Sequence, residues 1–113
     1  MLSAESALKI DASLAALPSP ERERVALYGA RLLFTEMKGR LALATRELAR
    51  FESKYGMTLA RLNEVGLPQG AGLEAHEDYV EWSGWQATHE ETHQILETLQ
   101  AILEAGHAFT SAS

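Results

Sequence analysis

The residue types best able to do chemistry in this 113-residue chain lie in its last third. His89-Glu90-Glu91-Thr92-His93 matches HExxH. On a helix that spacing puts two imidazoles on one face and a carboxylate beside any metal they hold, as in zinc-dependent proteases. The surroundings do not complete such an enzyme. A third ligand and a substrate-binding strand are missing, and Leu96 and Leu99 stand where the extended pattern has Gly and a third His. His89 falls in a helical row with Trp82, Leu96 and Leu103, whereas His93 falls in one with Gln86, Gln100 and His107. The pair reads as packed or surface histidines. The metal alternative is a non-catalytic site built on His89 and His93 and completed by Glu90, His107 or a second copy. No cofactor is expected.

A second cluster opens the same segment. Glu74, His76, Glu77, Asp78 and Glu81 gather just ahead of Trp82 and Trp85. Carboxylates in the first turns of a helix interact favourably with its dipole, by about 0.3–1 kcal/mol each. Aromatic anchors beside acids are also what interface hot spots are made of. Core packing is one reading of the tryptophans. A partner-binding face of Glu77, Asp78, Glu81, Trp82 and Trp85 is the other. There is no nucleophile elbow and no Ser/His/Asp arrangement, and residues 66–72, GLPQGAG, lack the lysine and the flanking strand of a P-loop. A helix-turn-helix over Thr58–Leu73 needs a basic recognition helix, and this stretch has only Arg61. The expectation is a protein that is not an enzyme.

The elements that position these residues are helical. Ala, Leu and Glu dominate, there are only three Val and three Ile, and no segment alternates over strand length. Cysteine is absent, which excludes disulfide scaffolds and thiolate chemistry. No apolar run approaches the roughly 20 residues that cross a bilayer, and the start lacks a signal-peptide pattern, so a cytoplasmic protein without membrane contact is expected.

A single domain of four helices is predicted. The first covers residues 1–17, capped by Ser3 and ended by Pro-Ser-Pro at 18–20. The second covers 20–55, with Ser19 as N-cap and Gly56 as the closing residue. Leu27, Phe34, Leu41, Leu48 and Tyr55 recur in it every seven residues, with Ala30, Met37, Ala44 and Phe51 at the companion positions. This is a coiled-coil-like seam, and Leu27, Phe34, Met37, Leu41, Leu48 and Phe51 are its large members. A short helix at 58–65 follows, then the loop at 66–72. The last helix is predicted over 73–105, with Gly106 as its stop and a frayed tail at 106–113. Its apolar rows are broader than one seam needs. The expected fold is an all-α, long antiparallel helical hairpin with an extra N-terminal helix and a short connector helix, dimerising into a four-helix bundle.

Charge divides the chain. Residues 1–61 hold ten Lys and Arg against seven acids, a net +3. Residues 62–113 hold no Lys or Arg and nine acids, a net −9, which gives −6 for the whole. Two helices of opposite charge attracting within one fold is one reading. An acidic arm docking on a basic partner is the other. A phosphate backbone repels such an arm, which argues against nucleic acid.

Phe51-Glu52-Ser53-Lys54-Tyr55-Gly56-Met57-Thr58 resembles an FExKYGMS/T signature found between two helices in small prokaryotic α-helical proteins. Glu77-Asp78-Tyr79-Val80-Glu81-Trp82 resembles their EDxxEW element. The resemblance spans residues 41–103 and leaves out the first 40 residues and the long loop. These proteins are similar to antitoxin components, often encoded beside a small toxin-like protein. The resemblance therefore implies a neutraliser of a basic protein encoded nearby, and it carries over no catalytic residues. A structural protein whose role is oligomerisation is the rival expectation, and a metal-binding helical bundle is the lesser one.

Overall fold

The computed structural model describes residues 3–112, with side chains described for 3–106. The described residues form four helices joined by short connections, and no strand occurs among them: α1 (Ala4–Ala16), α2 (Ser19–Tyr55), α3 (Leu59–Val65) and α4 (Leu73–Ala112). None is long and apolar enough to cross a membrane.

Local chemistry sets the helix ends. The Ser3 hydroxyl accepts from the Ser6 N–H and starts α1, and Leu17, extended ahead of Pro18, ends it. The Arg22 guanidinium reaches back to the carbonyls of Ala15 and Leu17, at 3.3 and 3.5 Å, where the C-terminus of α1 has no helical donors left. Ser19 is not the cap of α2 but its first residue. The Pro18 carbonyl accepts from the Arg22 N–H at 3.0 Å, and the Ser19 hydroxyl accepts from the Arg22 side chain. Pro20 is tolerated one position further in, because its missing N–H belongs to the unbonded first turn. Gly56 and Gly66 take positive φ at the ends of α2 and α3. Thr58 caps α3 by accepting from the Arg61 N–H.

The end of α4 departs from expectation. The helix does not stop at Gly106 but continues to Ala112, so residues 106–112 are helical rather than a loose tail. A glycine costs a helix only about 1 kcal/mol relative to Ala. This one has no positive φ, and a Cβ at this position would overlap the Leu27 side chain. Gly106 lets α4 pass Leu27 closely.

The chain divides into two compact units: Met1–Phe34 with Thr98–Ser113, and Thr35–Glu97. A helix of 37 residues, such as α2, extends about 55 Å, so its two ends have different neighbours. In the second unit the core is Leu48 and Phe51 of α2, Leu59 and Leu62 of α3, and Trp82 of α4. Tyr55, Met57, Leu67, Tyr79 and Trp85 pack around it. The pairings run antiparallel, with Arg50 against Glu81, Phe51 against Trp82, and Lys54 against Asp78 and Glu74. In the first unit Ala30 and Leu99 are buried, Leu27 lies against Gly106, and α1 buries no residue at all.

Candidate functional site

The acidic segment that opens α4 has two faces with different work. Its inward face is tied to the end of α2. Trp82 is fully buried, and its indole stacks on Phe51 at 5.6 Å and on Tyr55 at 5.7 Å between ring centroids. Such aromatic pairs add about 0.5–1.5 kcal/mol beyond the area they bury. The Asp78 carboxylate receives the Lys54 ammonium and the Tyr55 hydroxyl, both at 2.6 Å. Lys54 also reaches Glu74 at 2.8 Å, and Arg50 joins Glu47 to Glu81. The hydrogen bond from Lys54, and then that from Tyr55, holds the Asp78 carboxyl below the usual carboxylate range. The same contacts, with Asp78 first, raise Lys54 and Tyr55 above their ordinary values.

Two of the residues expected to meet a partner are therefore used within the chain. Trp82 is a core residue, because the periodicity that puts it beside His89 and Leu96 also turns it toward α2. Asp78 is held by Lys54 and Tyr55. Trp85 is half-buried against the same core, and Glu81 is exposed while paired with Arg50. Only Glu77 of the five is exposed without an ion-pair partner among the described residues.

The outward face carries what sequence reasoning missed. Leu73, Glu77 and Val80 stand at i, i+4 and i+7, which is one face of a helix. Leu73 is 75% exposed and Val80 71%. They are the only large apolar side chains of α4 that the second unit leaves exposed among the described residues. A shallow groove runs from Val80, Glu77 and His76 of this face to the edge of the inward face at Asp78 and Glu81. The signal was present as the seven-residue spacing from Leu73 to Val80 with an acid between them.

The seam residues of α2 lie on its inner face. Leu48 and Phe51 are buried in the second unit, where Met37 and Leu41 are half-buried. Leu27 and Phe34 are half-buried in the first. His89 is half-buried, and His93 is exposed with Nδ1 3.5 Å from Glu97. No group of three or more His, Cys, Asp or Glu able to hold a metal occurs among the described residues. The His107 side chain lies outside them. Arg61, the lone basic residue of the imagined recognition helix, is paired with Glu64 at 2.9 Å. No protein-family model, curated protein or solved structure matches the chain.

Proposed function

We propose that this chain is a non-enzymatic protein–protein interaction module that neutralises a basic partner in the manner of an antitoxin, docking it on the outward face of α4. The observation that carries this reading is the strip of Leu73, Glu77 and Val80, where an unpaired carboxylate sits between two exposed apolar side chains. Carboxylates steer a basic surface into place and exclude acidic ones, while desolvated apolar contacts supply the affinity. Arg50 and Lys54 offset part of the inward acids' charge, whereas the Glu77 carboxylate on the outward face has no ion-pair partner among the described residues. Trp82 and Asp78 support the strip from below rather than touching the partner.

The test is a native mass spectrum of the tagged chain co-expressed with the product of its adjacent gene. The expected result is a complex with the wild type and free chain with Leu73→Asp plus Val80→Asp, both variants giving the same helical circular dichroism. A complex that survives the double substitution refutes the strip as the docking face.

Self-association is the second reading. It is favoured by the exposed apolar side chains of the first unit.

A further inference from the structure

We propose that the outer stripe of α2 formed by Val25, Tyr28 and Leu32 is the surface on which a second copy of this chain docks, so that self-association uses the face opposite the Leu27–Phe51 seam. The proposal rests on the self-association reading and is independent of the basic partner.

Val25, Tyr28 and Leu32 repeat the three-then-four spacing of a helix-pairing seam. They are 48%, 58% and 64% exposed. Ala30, buried, and Leu27 and Phe34, half-buried, lie on the other side of the same helix. A helix that is apolar on two opposite sides calls for two partners. The seam side already has its neighbours within the chain, as Leu27 against Gly106 shows. Nothing among the described residues covers the outer side. Helix α1, adjacent in sequence, buries none of its own residues and leaves Leu8 and Ile10 exposed as well.

Charge selects the occupant. The unit that contains the stripe holds four basic and five acidic residues, a net −1. The other unit holds six and eleven, a net −5. A strongly basic partner is drawn to the second unit and gains little at the stripe. Two copies meeting there suffer almost no net repulsion. Glu21 and Arg24, of opposite sign, stand on the same side of α2 as the stripe. The Arg24 guanidinium lies 5.8 Å from the Tyr28 ring, and Tyr and Arg are both residue types enriched at interface hot spots. Val25, Tyr28 and Leu32 from two copies, with the arginine stems, present on the order of 800 Å², the size of a weak, reversible interface.

Sedimentation equilibrium on the full chain tests this. The wild type is expected to sediment as a dimer at micromolar concentration. Leu32→Glu and, separately, Val25→Glu are expected to weaken the dimer by about 30-fold or more. Their thermal midpoints at dissociating dilution should match the wild type, because both side chains are exposed in the monomer. Val80→Asp should leave the dimer intact. A wild type that remains monomeric at high micromolar concentration overturns self-association altogether. A dimer untouched by both stripe variants, or one broken by Val80→Asp instead, overturns the stripe alone.

Discussion

Asp78 and Trp82 show how one residue's surroundings decide its work. Removing the Trp82 side chain empties the centre of the aromatic stack, and Trp82→Ala is expected to cost about 3–5 kcal/mol in urea unfolding. A loss under about 1 kcal/mol would mean that the indole is not the core of its unit. Asp78 gives a pH dependence whose sign follows from its depressed carboxyl. Its contribution to stability is complete above the ordinary carboxylate value near 4, and it is lost as pH falls through the lowered one. Lys54 and Tyr55 are raised, so their contributions are complete below about pH 10 and are lost only above it. The stability these three supply is thus expected to be level from about pH 5 to 9. In Asp78→Asn the level should be lower and the acid limb shallower, as read from thermal midpoints between pH 2 and 7. Thr92 is the opposite case. It is fully buried, and its hydroxyl has no partner, so Thr92→Val is expected to stabilise the chain by about 1 kcal/mol. The sequence singled out Trp82 and Asp78 but not their direction, because the roles of Lys54 and Arg50 depend on how α2 and α4 are registered. Spacing within one helix does not encode that register.

The elements were more legible than the contacts between them. Ser3, Thr58, Gly56 and Gly66 mark helix ends by chemistry confined to one turn, and such signals survive in any fold. Gly106 misleads because its reason lies in another helix. The room it leaves for Leu27 is invisible from α4 alone. Its substitution separates the two roles of a helical glycine. Gly39 and Gly84 have open space where a Cβ would go, so Gly39→Ala and Gly84→Ala are expected to stabilise by about 0.5–1 kcal/mol each. Gly106→Ala is expected to destabilise by about 1 kcal/mol, since overpacking outweighs the gain in propensity, and Leu27→Ala in the same chain should remove that penalty. Equal gains at all three glycines in thermal unfolding would contradict the close approach of Leu27.

At the scale of the whole molecule, part of the charge asymmetry is internal attraction. The +3 and −9 segments meet within the second unit, where Arg50 and Lys54 take up Glu74, Asp78 and Glu81. That unit still carries −5 and turns Glu77, with Leu73 and Val80, to the outside. Composition showed the excess of acid. It could not show which acids are spent inside, because neighbours in sequence lie about 100° apart around a helix. The most direct test of the account sets Glu77→Lys beside Asp78→Asn, reading thermal midpoint and capture of the co-expressed neighbouring protein from the same preparations. The account predicts that Glu77→Lys abolishes capture and leaves the midpoint in place, whereas Asp78→Asn lowers the midpoint and still captures. The reverse pattern, or capture undiminished by Glu77→Lys, would contradict the division of α4 into a holding face and a binding face.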